Sequence, residues 1–244
     1  MDKYYIECNN LEFSYEKEIE VLKNINFRAS GKETIGVIGS NGVGKSTFLR
    51  ILVGLELEFT GNVNIDGILV EKKNLPAIRE KIGYVFQDSE NQLFMNTVKD
   101  DIAFAPRNYG MSEEEVELRV DKALKMIDIE HLKDKQIWKM SGGEKKMSAI
   151  ATVLSMSPDI IIMDEPSIAL DPKNRRRLIK IINNLECLKI IASNDLDLVL
   201  DTCDRVILFT DGEIVFDGPT KDILRNQALL ESNGLELPLC FGNC

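Results

Sequence analysis

The sequence of 244 residues contains one histidine, one tryptophan and no Cys-x-x-Cys pair. Its five cysteines (Cys8, Cys187, Cys203, Cys240 and Cys244) are widely scattered and odd in number. They exclude a disulfide frame or a cysteine zinc site, and are expected to be free thiols in a reducing compartment. Long apolar runs are also missing: the longest stretch without a charged residue is Met147–Pro158, 12 positions, against the ~20 needed to span a bilayer. The start, Met1-Asp2-Lys3-Tyr4-Tyr5, lacks the basic and apolar layout of a secretory signal. The expected location is therefore the cytosol, with any membrane association supplied by partners. Positive charge is in deficit, 30 Lys and Arg against 40 Asp and Glu, which weighs against broad electrostatic binding of nucleic acid. No internal repeat, low-complexity tract or flexible linker is visible.

What is present suits a folded protein: 44% hydrophobic and 29% charged residues fit an ordinary globular composition and argue against disorder. At ~150 residues per domain, the length predicts one large domain, or one with an appendage. Ile6, Cys8, Leu11, Phe13 and Tyr15 alternate after a break at Asn9-Asn10, and Val21–Phe27 alternates in part, as half-buried strands do. Thr34–Ile38, Ile82–Phe86 and Ile160–Met163 are short, nearly all-apolar runs, the pattern of parallel strands covered on both faces. Between the last two, Ser112 with Glu113-Glu114-Glu115 offers an N-cap and an acidic first turn. Val116, Val120, Ala123, Leu124 and Ile127 continue that helix, and Gly142–Ser157 predicts another. Val206–Phe209 and Glu213–Phe216 flank Asp211-Gly212, a strong hairpin signal. The last ten residues, Leu235–Cys244, are unusually apolar.

The chemistry begins at Gly39-Ser40-Asn41-Gly42-Val43-Gly44-Lys45-Ser46-Thr47. This glycine-rich segment leaves a predicted buried strand and opens a predicted helix (Ser46–Leu55), the context a phosphate-binding loop requires. Its glycines let successive N–H groups turn toward one anion, and the helix start adds its positive end. Lys45 is placed to reach the β- and γ-phosphates and Ser46 to ligate Mg²⁺. A second segment ends an apolar strand in two acids, Asp164 and Glu165. Asp164 is suited to holding the metal through water, and Glu165 to orienting or deprotonating the attacking water.

Met140-Ser141-Gly142-Gly143-Glu144 resembles the signature motif of ABC-type ATPases, with Met for the usual Leu and Glu for the usual Gln. It lies 23 residues ahead of Asp164 by its serine, as in that family. The resemblance extends from about Tyr15 to Gly218. It implies an α/β fold: a P-loop NTPase core with a mixed sheet, an N-terminal antiparallel β-subdomain and an inserted helical subdomain (about 88–157). The ATPase domain would span 1–220, with a short C-terminal extension at 221–244. It implies two cassettes paired head to tail, each ATP held by one subunit's phosphate loop and the partner's Ser141, Gly142 and Gly143. By the same resemblance, Ser40, Asn41, Gly42, Gly44, Lys45, Ser46 and Thr47 bind ATP, Tyr15 stacks on adenine, and Gln87 contacts Mg²⁺ or water and senses the membrane partner. Asp171, in Ser167–Asp171, would touch the opposite subunit.

Phe86–Phe94 and Thr97–Phe104 look like the ATPases of energy-coupling-factor importers, the group serving cobalt, nickel and water-soluble vitamins. Gly234-Leu235-Glu236-Leu237-Pro238 resembles the end of that group's C-terminal extension, and burial of the apolar tail against a second copy is expected. The resemblance thus implies integral membrane subunits and a second ATPase subunit, identical or not, as partners. It also implies a position on the cytoplasmic face of the membrane, with no nucleic acid bound. One position departs from the family. Its switch histidine is replaced by Asn194, 30 residues beyond Asp164. His131 lies before the signature and is expected to be a solvated residue near a helix end. An amide donates a hydrogen bond but carries no charge or proton. ATP is therefore expected to bind and close the dimer while hydrolysis at this chain's site, involving Glu165, Gln87 and Asn194, is slow. The alternatives at this stage are a hydrolysis-impaired gating subunit with an active partner, and a soluble ABC ATPase outside transport.

Overall fold

The computed structural model describes residues 4–16 and 19–241; Cys244 and the end of the apolar tail lie outside them. In chain order the elements are β1 (Tyr4–Glu16), β2 (Ile19–Ser30), β3 (Thr34–Ile38), α1 (Lys45–Leu52), β4 (Phe59–Ile65), β5 (Ile68–Leu69), α2 (Leu75–Lys81) and β6 (Ile82–Val85). They continue with α3 (Val98–Asn108), α4 (Glu113–Met126), α5 (Gly142–Leu154), β7 (Ile160–Asp164), α6 (Pro172–Asn184), β8 (Leu188–Ala192), α7 (Leu196–Thr202), β9 (Arg205–Thr210), β10 (Glu213–Pro219), α8 (Thr220–Leu224) and α9 (Gln227–Ser232).

Two sheets organise the chain. The first, β2-β1-β4-β5, is antiparallel; the second has the order β10-β9-β3-β8-β7-β6. From β9 to β6 every pairing in that second sheet is parallel, and β10 adds an antiparallel edge. This is the mixed α/β architecture expected, with an antiparallel N-terminal sheet. Two of the expected apolar runs, β3 and β7, lie inside the second sheet and, like β8, are buried at every position, because helices cover both faces of a parallel sheet. The third, Ile82–Phe86, forms the edge strand β6 and is buried only at Ile82 and Val85, since an edge lacks a neighbour on one side. One core forms where Phe27, Phe48, Phe209 and the inward residues of the first sheet meet β3. The other joins the opposite face to α3, α4 and α5.

Local chemistry sets most boundaries. The Asn9-Asn10 break is a bulge, with Asn10 at φ 48° and the β1–β2 register shifting between Cys8 and Leu11. Leu11 and Phe13 stay inward, but the register shifts again on both sides of Ser14, and Tyr15 there leaves the inward set and stands 54% exposed. Ser112 caps α4 through Glu115 N–H, and Asp211-Gly212 turns the β9–β10 hairpin with both residues at positive φ. Helix α1 ends at Leu52, short of the expected Leu55, where Gly54 takes a left-handed conformation. Helix α5 stops at Leu154, before Ser157. His131 is exposed in a single 3₁₀ turn (Glu130–Leu132).

Helices α8 and α9 return the chain to the sheet, where Leu230 and Leu235 are buried and Leu237 and Phe241 pack partly against the same core. Much of the described apolar tail is thus covered by its own chain, and Leu239 alone among its large apolar residues stands out. The Asp197 carboxylate on α7 accepts from the amides of Leu239 (3.1 Å) and Cys240 (3.4 Å). Cys8, Cys187, Cys203 and Cys240 are free.

Candidate functional site

The phosphate-loop sequence forms the turn between β3 and α1. Gly39 has φ 148° and Gly44 φ 105°, and a Cβ at either would come within 3.0 Å of backbone oxygen, Phe209 O and Val21 O respectively. Both positions therefore demand glycine. Gly44 caps α1 without any side-chain acceptor, so the first-turn N–H groups keep their donor capacity.

A cavity of about 500 Å³ opens on this turn and is bordered by Tyr15, Asn41, Gly42, Gly44, Thr47 and the polar residues discussed next. Lys45 is buried, and its Nζ donates to Gly39 O (2.5 Å), Ser40 O (3.0 Å) and Asn194 Oδ1 (3.0 Å). Burial pulls its pKa down, and the carboxylates of Glu165 and Asp164 oppose that shift. Ser46 Oγ donates to Asp164 Oδ1 (3.1 Å) and Tyr84 Oη to Asp164 Oδ2 (3.3 Å). Tyr15 Oη lies 3.2 Å from Thr47 Oγ1, its ring set edge-on to Phe13.

Glu165 sits just past β7 at φ 46°, left-handed backbone for a residue other than glycine. Such a conformation costs on the order of 1 kcal/mol and marks a site the surrounding structure holds in place. Its carboxylate accepts from Asn194 N (3.0 Å) and Ser193 Oγ (3.3 Å). Burial nevertheless raises its pKa above the ordinary value, while those hydrogen bonds and Lys45 pull the other way. Asn194 is the hub. Besides accepting from Lys45, its amide Nδ2 donates to Asn41 Oδ1 (2.7 Å).

Gln87 is exposed in the loop after β6 and borders this cavity together with Ser46. It also borders an adjoining cavity of about 420 Å³ whose walls include Asp164, Arg50, Tyr84, Lys146 and Gly142. Ser40 lies to the other side, where it borders a separate cavity together with Gly234. The structure thus gathers Tyr15, Asn41, Gly42, Gly44 to Thr47, Gln87, Glu165 and Asn194 around one opening; Asp164 lines the adjoining cavity and meets it through Ser46, and Ser40 stands outside both. Ser141 and Gly143 border neither of the two cavities. Ser141 caps α5 by a capping box, taking Glu144 N–H on its hydroxyl while Glu144 accepts Ser141 N–H. Lys135 pairs with Glu144 and fixes the box. The cap is exposed, and Trp138, three residues ahead of it, is 73% exposed. Asp171 is the N-cap of α6, accepting from the amides of Lys173 and Asn174.

Sequence reasoning missed Tyr84, which holds the second oxygen of Asp164, and Lys146, a buried cation beside the Gln87 loop. Tyr84 was hidden because it reads as one more strand residue. Lys146 sits in a helix where a lysine ordinarily means solvent.

Among the described residues no cluster of His, Cys, Asp and Glu forms a self-sufficient metal cage. Ser46 hydroxyl and Asp164 carboxylate, within hydrogen-bond distance, nevertheless fit Mg²⁺, which is usually held by one or two protein oxygens plus phosphates and water.

Comparison with known proteins identifies the family and the fold. Residues 22–168 match the ABC transporter family profile. A Geobacter sulfurreducens protein provisionally named an ABC transporter ATP-binding protein is 44% identical over 244 residues, covering 100% of this chain and 98% of its own. The energy-coupling factor transporter ATP-binding protein EcfA of Carboxydothermus hydrogenoformans is 39% identical over 96% of this chain and 87% of its own. Among solved structures, cbiO1 of Clostridium perfringens, part of the ABC transporter complex cbiONQ, superposes with a TM-score of 0.84 at 35% identity. That alignment covers 95% of this chain and 94% of the other. A dimeric ATP-binding cassette in a post-hydrolysis state with ADP and Pi gives 0.80 at 28% identity, covering 88% of this chain and 98% of the other.

Proposed function

The chain belongs to the ABC transporter ATP-binding family, ATPases coupled to transport, and from that premise we propose that it powers an importer of the energy-coupling-factor type. The observation that carries this reading is the opening bordered by Lys45, Ser46, Gln87, Glu165 and Asn194, with Asp164 bonded to Ser46 at its side, and a second helix cap whose Ser141 and Gly142 are exposed. In the proposed cycle the loop amides and Lys45 hold the triphosphate and Tyr15 stacks on the base. Glu165, with its burial-raised pKa, takes a proton from water lined up by Gln87. Mg²⁺, held through Ser46 and Asp164, would neutralise developing phosphate charge. A second subunit brings its Ser141 cap to the same nucleotide, and the two sites close together. The relatives EcfA and cbiO1 support the importer type, and a transition-metal ion such as cobalt or nickel, or a water-soluble vitamin, is the proposed cargo class.

No helix among the described residues is long and apolar enough to cross a membrane, so integral partners would provide the path and hold the chain at the cytoplasmic face. Phe94 and Phe104 support a docking point beside the Gln87 loop. They form an exposed edge-to-face pair with centroids 4.7 Å apart, which Asp101 anchors by accepting the amides of Phe94 and Met95. Pull-down of the tagged chain from membranes, with identification of the integral subunits, tests this. Recovery of none, or nucleic-acid binding with a steep salt dependence, would sink it.

Asn194 favours a second reading, slow hydrolysis at this site. Its amide already bridges Lys45 and Asn41, and it cannot offer the γ-phosphate a charged donor. Single-turnover hydrolysis by the purified dimer separates a gating subunit from a full ATPase.

A further inference from the structure

Lys146 is 2% exposed, yet it belongs to the same helix as the outward cap, five residues past Ser141. Among the described residues its Nζ has no carboxylate within bonding distance. It donates instead to two consecutive carbonyls, Phe86 O (3.1 Å) and Gln87 O (2.5 Å). Those are the peptides that follow β6 and from which the Gln87 side chain projects. An ammonium taken out of water is costly unless its donors are satisfied. Burial accordingly lowers the Lys146 pKa, while the charges of Asp164, Asp88 and Glu165 oppose the shift.

A second tie lies further along α5. Gln92 Nε2 donates to Ala149 O (2.6 Å) and Thr152 Oγ1 (2.8 Å), while its Oε1 accepts Phe86 N (3.2 Å). Lys145 adds an ion pair to Glu90 on the surface. Residues 86–92 are therefore pinned to α5 from both ends. A displacement of the α5 N-terminus is expected to carry the Gln87 backbone with it, since breaking away would leave the buried Lys146 ammonium without its two carbonyl partners.

We propose that Lys146 is a positioning residue that transmits coverage of the Ser141 cap to Gln87. The proposal rests on the reading above, in which that cap serves the partner's ATP. Lys146 touches no substrate; it sets where Gln87 stands when the two subunits close.

The test uses the full chain and compares K146M, Q87A and the double variant by single-turnover kcat and by nucleotide Kd. Methionine keeps the volume and removes the donors. K146M is expected to lower kcat on the order of 10-fold, with Kd for ATP changed less than two-fold. In the Q87A background it should lower kcat no further, because the two residues act through one element. Multiplicative losses in the double variant, an unchanged kcat, or a Kd that weakens as much as kcat falls would each overturn the proposal. If K146M does not fold, Q92A provides the same comparison, with an expected loss of about 3-fold that also vanishes in Q87A; multiplicative behaviour there is equally fatal. K45A separates the two levels of argument. If K45A hydrolyses ATP normally, the site reading fails and takes the clamp with it. If K45A is inactive while K146M and Q87A multiply, the clamp alone is refuted.

Discussion

Two helix N-termini in this chain begin in glycine-containing turns, and they are finished in opposite ways. At α1 the capping residue is Gly44, no side chain caps the amides, and Lys45, Ser46, Asp164, Glu165 and Asn194 form a connected, largely buried polar network around the free donors. At α5 the turn is closed by its own capping box, Lys135 secures the box, and the serine faces solvent. The first end is an unfinished site enclosed by its own chain; the second is self-sufficient and free to be placed against something else. In the function proposed above these ends are two halves of a nucleotide site, which a second subunit would unite.

The contrast can be broken most forcefully at α1. Lys45→Ala should lower turnover on the order of 10²–10³-fold, the scale for loss of a charged donor at developing phosphate charge, and weaken nucleotide binding by the isolated chain; a steady-state ATPase assay and nucleotide titration check both. Asn194→His probes the same end in the other sense. Restoring a chargeable donor is expected to raise single-turnover hydrolysis on the order of 10²-fold, and unchanged turnover would remove Asn194 as the limiting feature. At α5 the expected effect is smaller and of another kind. Ser141→Ala should lower dimer turnover about 10-fold, leave ATP binding by the isolated chain intact, and cost about 1 kcal/mol of stability through the lost cap. Equal losses of binding by Lys45→Ala and Ser141→Ala in the isolated chain would erase the distinction between the two ends.

The smallest effect concerns stability. Glu165 ionises at a cost in the folded chain because burial raises its pKa. That cost is absent below the ordinary value of 4.5, where folded and unfolded chains both hold the proton, and it is fully felt above the raised value. Glu165→Gln should therefore melt higher than wild type at pH 8, on the order of 2 °C for a chain of this size. The gap should close toward pH 4, as thermal scans across that range would show.

What the sequence made legible is what local chemistry decides. The apolar runs of β3 and β7, the Ser112 cap, the Asp211-Gly212 hairpin and the glycine turn between a strand and a helix each follow from a few adjacent residues. The remainder depends on partners distant in sequence. The Asn194–Asn41 bond spans 153 positions, and no periodicity announces it. Tyr15 escapes its alternation at the two register shifts that flank Ser14. Glu165 adopts a left-handed backbone that nothing in its neighbours demands. The tail, expected against a second copy for being apolar, places Leu235 in the core of its own chain, because α8 and α9 bring it there.

The lone tryptophan gives these ideas an optical handle. Trp138 stands almost wholly in water just ahead of the α5 cap, with Lys139 Nζ 4.7 Å from its ring centroid. Its emission should be red in the isolated chain and move to the blue, with less access to iodide, whenever another molecule settles over that end. Assembly could then be followed in real time without a label, from a chromophore that reports on the outward half of the site alone.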